Sequence, residues 1–300
     1  MKTKITNLNM FQSVTMLLVL AIMFQPFTSL SQPGIEKGIQ IFESKNYYGA
    51  EKFFTDYLNQ NPNTAMAYYY LGRIAIEKKN NEEASEFFEK AVDIDNGNSE
   101  ILTWKGINYI TLLSQVTFIK QGLYAPRALS ALEKAVALDP NNILASIYLA
   151  GYYAGAPGFA GGSREKAIGQ INTAVEIDSF NIGAQFQRGV IMSTFKEYAE
   201  AKKSFEKIMN IDPEYYPAFY QLGKMSSEGG VYLEQGQLSL IRFIKYAPKE
   251  FDENKDDAWW YLGNIYVKSG NNEEARKAYR SAVTLSPDNE EYQKALKSIL

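Results

Sequence analysis

The stretch GYYAGAPGFAGGSREKAIGQI, residues 151–171, gathers the residue types from which phosphate loops and serine nucleophiles are built. Glycines stand at 155, 158, 161 and 162, and Ser163 precedes Lys166 by three residues. A phosphate loop needs G-x-x-x-x-G-K-[ST] after a strand, so that successive backbone N–H groups cradle the anion. Here Gly162 is followed by Ser163-Arg164, and the residues before the loop have helical character. Ser-x-x-Lys suits acylation only alongside partner motifs such as Ser-Asp-Asn or Lys-Thr-Gly, which this chain lacks. The same spacing recurs at Ser204 and Lys207 inside an ordinary helical pattern. The residues read better as Gly161-Gly162 turning the chain, Ser163 capping a helix and Glu165 lying on its positive end. One binding role remains: Gly161, Gly162 and Ser163 at a helix N-terminus form a candidate anion site.

Other chemistry is sparse. The chain has no Cys and no His among 300 residues, which excludes thiolate chemistry, His-based triads and the zinc sites built on those ligands. Asp93–Asn98 places glycine fifth rather than sixth, and Asp252–Asp257 has no ligand pattern, so neither reads as a calcium loop. No cofactor or metal site is read, and the chain is expected not to be an enzyme.

The elements around these residues are regular. In AWWYLGNIYVKSGNNEEARKAYRSAVTLSP, residues 258–287, Trp259, Leu262, Gly263 and Tyr266 share one helical face. After a turn at Gly270-Asn271-Asn272, Ala275, Tyr279 and Ala282 form a second face, and Pro287 ends the unit. The spacing of 12 residues from a small residue to Ala recurs at Gly38/Ala50, Gly72/Ala84 and Gly189/Ala201, with Phe54, Phe88 and Phe205 four residues later. This pattern resembles the tetratricopeptide repeat, W-x2-L-G-x2-Y…A-x3-F…P. The resemblance implies an all-α, right-handed α-solenoid of about seven helix pairs, each made of a helix A and a helix B, with a polar capping helix at about 290–300. The units begin near residues 31, 65, 99, 143, 182, 216 and 256. They make up a single domain spanning 32–300. The third, fourth and sixth units are long, and the excess is expected between helices A and B: TFIKQGLYAP, APGFAGG and part of SSEGGVYLEQG. The first two insertions should touch and form a lobe at about 115–163.

The resemblance places one series of side chains on the concave face. These are Tyr69 and Arg73 in the second unit, Phe186 in the fifth, Tyr220 and Lys224 in the sixth, and Trp260, Asn264 and Lys268 in the seventh. Such rings and cations suit a protein or extended peptide. The same spacing would equally serve ring packing between neighbouring helices. The Lys/Asn carboxylate clamp of the family's chaperone-binding members is not reproduced, because aromatics occupy the first lysine position and only Asn264 fits.

The N-terminus reads as a secretory signal peptide, residues 1–31. Lys2 and Lys4 precede the 11-residue apolar run Val14–Phe24, and Ser29 and Ser31 suit cleavage before Gln32. A membrane-spanning helix needs about 20 apolar residues. No membrane span is expected after cleavage, and the destination is a bacterial periplasm or the cell exterior. Without Lys2 and Lys4 the chain carries 29 Lys+Arg against 34 Asp+Glu, about −5, which argues against nucleic acid. The reading is therefore an exported, non-enzymatic scaffold or adaptor using the groove or the loop lobe. P-G-x-x-G-G-S-x-x-K-A also looks like a loop of periplasmic helical subunits of TRAP-type transporters, which makes a ligand-binding transport accessory the alternative. Such an accessory would close a dry cavity around Tyr152, Tyr153, Phe159 and Ser163. Oligomeric state is not legible.

Overall fold

The computed structural model describes residues 34–299, and the signal-peptide expectation lies outside them. Fifteen α-helices and two short 3-10 helices form these residues, with no strand among them. The chain divides into two compact units between Asp178 and Ser179. In the first, α1 (Glu36–Glu43) pairs with α2 (Tyr47–Gln60) and α3 (Ala65–Glu77) with α4 (Asn81–Ile94). There α5 (Ser99–Gln115) also pairs with α6 (Phe118–Leu138), and α7 (Ile143–Gly155) with α8 (Arg164–Ile177). The second unit pairs α9 (Ile182–Thr194) with α10 (Tyr198–Ile211), α11 (Tyr216–Gly229) with α12 (Leu233–Tyr246) and α13 (Lys255–Lys268) with α14 (Asn272–Leu285). It ends with α15 (Glu290–Lys297).

Local chemistry sets the ends of these helices. Asn46, Asn80, Asn142, Asn181 and Asn271 each accept a backbone N–H from the first turn that follows. Between helices A and B the chain passes through left-handed geometry at Lys45, Lys79, Lys196 and Gly270, with φ between +60° and +77°. Where the paired helices cross, a Cβ on Gly72, Gly189 or Gly263 would stand 2.4–2.8 Å from the Phe88, Phe205 or Tyr279 ring. Glycine on one helix and a ring on the other therefore make one close-packed contact.

Each A helix inside a unit packs against its own B helix, the preceding B helix and the neighbouring A helices. It is consequently buried nearly all round, as α5 is from Ile101 to Leu113. B helices keep a solvent face, so α4 buries only Asn81, Ala84, Phe88 and Ala91. The closing helix α15 buries Tyr292 beside Trp260, with ring centroids 6.0 Å apart, and leaves Glu290, Glu291, Lys294 and Lys297 exposed.

Two of the long units differ from expectation. In the third, the inserted residues are helical rather than a loop, because α5 and α6 lengthen together. Tyr109 and Tyr124 stack across that extension with centroids 5.7 Å apart, and Gln121 Nε2 donates to Leu113 O at 3.0 Å. In the sixth, Gly223 lies against Leu240, so the small residue of helix B is Gly236 and not Ser239. The unit gains its length mainly after helix B, in the 3-10 turn Lys249–Asn254. A hydrophobic Leu in the ring position had hidden that register. In the fourth, the residues between α7 and α8 include the 3-10 turn Gly158–Ala160 and rest on the third unit, where Gly161 meets the Leu129 side chain.

Candidate partner-binding site

The expected groove residues divide into two sets. Tyr69, Phe186 and Tyr220 are buried and present no open ring to a partner. Tyr69 lies beside Phe88 and Tyr70, Phe186 beside Phe205 and Tyr215, and Tyr220 beside Phe243 and Tyr261. The correction follows from the fold: an A helix is covered on several sides, so these rings fill contacts between successive pairs.

Tyr69 belongs instead to an internal polar network. Its hydroxyl donates to Glu100 Oε1 at 2.5 Å and accepts from Arg73 Nη1 at 2.6 Å. The Arg73 guanidinium lies 3.5 Å from the Trp104 ring centroid and 5.3 Å from that of Phe42. Burial raises the Glu100 pKa above the usual carboxylate range, while the Tyr69 hydrogen bond and the Arg73 charge pull it down. Arg73 is thus already engaged. Glu100, on the next A helix, was not anticipated, since nothing in the repeat pattern sets it apart from other first-turn acids.

Trp260, Asn264 and Lys268 are brought together. Along α13 they line an open pocket of about 230 Å³ with Ser227 and Glu228 of α11 and Tyr279 of α14. Trp260 and Tyr261 pack at 4.9 Å between centroids. The Asn264 carbonyl accepts from the Tyr279 hydroxyl at 2.7 Å, leaving its amide N–H groups unengaged among the described residues. Lys268 is exposed, with no ion pair among the described residues. Lys224 is not among the lining residues; its Nζ is 5.9 Å from the Tyr261 ring centroid. The Trp260 indole nitrogen is buried and has no acceptor among the described residues. Burial is the main cause raising the pKa of Tyr261 and Tyr279, so both stay neutral. Sequence reasoning missed Ser227, Glu228 and Tyr279 because they come from other helices of the unit.

The glycine loop is not an anion site. The three N–H groups expected to hold the anion are used internally: Gly161 donates to Gly158 O, Gly162 to Pro157 O and Ser163 to Tyr153 O, at 3.1, 3.1 and 2.9 Å. Ser163 caps α8 by accepting the Lys166 N–H, and its hydroxyl donates to Glu165 Oε2 at 3.0 Å. Glu165's own backbone N–H and the Ser163 hydroxyl hold that carboxylate below the usual range. The helix end therefore already carries its anion. Of the residues the transport alternative would place around a cavity, Tyr152 is buried and donates to Ala160 O at 2.8 Å, while Phe159 is 86% exposed.

Among the described residues no group of three or more acids could hold a metal, and no helix is long and apolar enough to cross a membrane.

Models of the tetratricopeptide repeat match residues 65–98, 182–215 and 256–289. A TPR repeat-containing protein of Methanocaldococcus jannaschii is 21% identical over 90% of this chain, which spans only 39% of that relative's length. The C-terminal part of a TPR repeat-containing protein from Cytophaga hutchinsonii shares the fold at TM-score 0.57 and 16% identity, over 87% of this chain and 99% of that one. A tetratricopeptide repeat protein from Parabacteroides merdae does so at TM-score 0.59 and 16% identity, over 88% and 96%. These relatives lend no support to a transport-accessory role. Together with the geometry of the helix pairs, the matches show that this chain contains tetratricopeptide repeats.

Proposed function

We propose that the chain is a non-enzymatic scaffold that binds an extended segment of another protein in the pocket of the second unit. The observation that carries this reading is the open pocket lined by Trp260, Asn264 and Lys268, in which the Asn264 amide and the Lys268 charge have no partner among the described residues. The Trp260 and Tyr261 rings supply an apolar wall, Asn264 suits a peptide carbonyl, and Lys268 suits an acidic side chain.

Panning a random peptide library on the full-length chain should enrich sequences that pair an acidic residue with an apolar one. Lys268→Glu should weaken the enriched peptides about tenfold, and Trp260→Ala at least as much, with helicity unchanged. Binding that survives both substitutions but is lost in Phe159→Ala would move the site to the loop lobe. A library that yields no binder overturns the reading.

The scaffold acts, on this proposal, after export to a periplasm or the cell exterior, which the positive start and the short apolar run Val14–Phe24 support. N-terminal sequencing of protein recovered from producing cells should begin at Gln32. Recovery of the intact Met1 chain would reject export by this signal.

A further inference from the structure

B helices in this fold present one face to solvent. Taking the residue at the helix crossing as reference (Ala84, Ala201, Gly236 or Ala275), the positions two and five residues later lie at or beside that face. They are the exposed Glu86 and half-buried Glu89 in α4, the exposed Lys203 and half-buried Glu206 in α10, and the exposed Lys277 and Arg280 in α14. In α12 they are Leu238, 60% exposed, and Ile241, 37% exposed. Tyr246, 57% exposed, borders them.

The stripe on α12 has an order of its own. Glu234, Leu238, Ile241 and Lys245 follow one another at spacings of four, three and four, the seam of a two-helix coiled coil. Its two central members are apolar and its two ends are oppositely charged. Reversed end to end, the stripe matches itself: Glu234 meets Lys245, Leu238 meets Ile241, and Leu233 meets Tyr246. A two-fold axis between Leu238 and Ile241 generates all of these pairs at once, which is the requirement of an isologous interface. The flank is fixed, because Arg242 Nη2 donates to Pro213 O at 2.9 Å and its guanidinium lies 4.7 Å from the Phe219 ring centroid.

We infer that α12 is a docking surface for a second copy of this chain, with the two α12 helices antiparallel across a two-fold axis. One helix pair gives an interface at or below the small end of the specific range, so the association should be weak and depend on concentration. The surface lies on a B helix and is independent of the Trp260 pocket.

Sedimentation equilibrium on the full-length chain, from about 1 to 200 μM, should show the mass rising from the 33.9 kDa of one chain towards twice that value. Glu234→Lys and Lys245→Glu should each weaken the dimer about tenfold or more, because each places like charges at both ends of the seam. An equimolar mixture of the two variants should re-associate as a heterodimer, since both of its end pairs are complementary. The double charge reversal in one chain should restore the homodimer, and Leu238→Asp should abolish it. Association through any other surface, the N-terminal apolar run included, would not follow this pattern. A parent that stays monomeric, or single variants that associate like the parent, overturns the inference. So does a monomeric parent that floats with vesicles of anionic phospholipid, which would make the stripe a membrane contact.

Discussion

Gly162→Ala is expected to lower the stability of the first unit by about 3 kcal/mol. A Cβ at this position would stand 1.7 Å from the carbonyl oxygen of Ala156, a backbone atom rather than the movable end of a side chain. Neither partner can withdraw. The Ala156 N–H is tied to Tyr152 O at 2.8 Å, the Gly162 N–H to Pro157 O at 3.1 Å, and the following Ser163 N–H to Tyr153 O at 2.9 Å. Relief requires breaking the α7–α8 turn, with loss of the Tyr152 clasp on Ala160 and of the Ser163 cap. Ser163→Ala removes the cap alone and should cost about 1 kcal/mol. Urea unfolding followed by circular dichroism, with hydrogen exchange to localise the loss, separates the two. A Gly162→Ala chain as stable as the Ser163→Ala chain would mean that the backbone does not approach so closely.

Arg73→Met is expected to cost roughly 2–3 kcal/mol at neutral pH, the scale of a charged hydrogen bond plus a buried cation–ring contact. It removes the donor to the Tyr69 hydroxyl and the cation stacked on Trp104, and leaves the Glu100 carboxylate with less compensation. The pH dependence gives this prediction a sign. Glu100 already titrates above its ordinary value, chiefly through burial, and Arg73 opposes that shift. A carboxyl whose folded pKa is raised binds its proton more tightly in the folded state, so stability falls as pH rises through that window. Without Arg73 the folded pKa goes higher and the loss above it deepens. The deficit of the variant should therefore be largest at neutral pH and shrink as the solution is acidified towards about pH 4. Adding Glu100→Gln to the Arg73→Met chain should recover part of the loss at neutral pH and flatten its dependence on pH. A deficit independent of pH, unaltered by Glu100→Gln, would show that only packing of the guanidinium on Trp104 matters.

Much of the architecture is written locally. Gly72 with Ala84 and Phe88, or Gly263 with Ala275 and Tyr279, sets a helix pair by spacing alone, because a helix repeats its face every 3.6 residues and the turn between the pair has fixed length. Asparagine caps and proline stops mark the ends in the same way. Where a ring position holds Leu240, the local signal weakens, and the register of the sixth pair became visible only when Gly223 and Leu240 were seen in contact.

The site was legible in part. Trp260, Asn264 and Lys268 come from one helix at spacings of four residues, and one helix face is enough to bring them together. Tyr69, Phe186 and Tyr220 have the same helical placement but are covered. Burial depends on neighbours tens of residues away, such as Glu100 for Tyr69 and Tyr261 for Tyr220, and periodicity says nothing about them. The same limit applies to the glycine loop. Its composition offers free N–H groups to an anion, and only the folded chain reveals that Tyr153, Pro157 and Gly158 have already taken them. The sequence alone determined the helix pairs and their order, since these follow from contacts between residues near in the chain. Tertiary structure decided which polar and aromatic groups remain available to a partner, since availability is what remains after distant segments have packed.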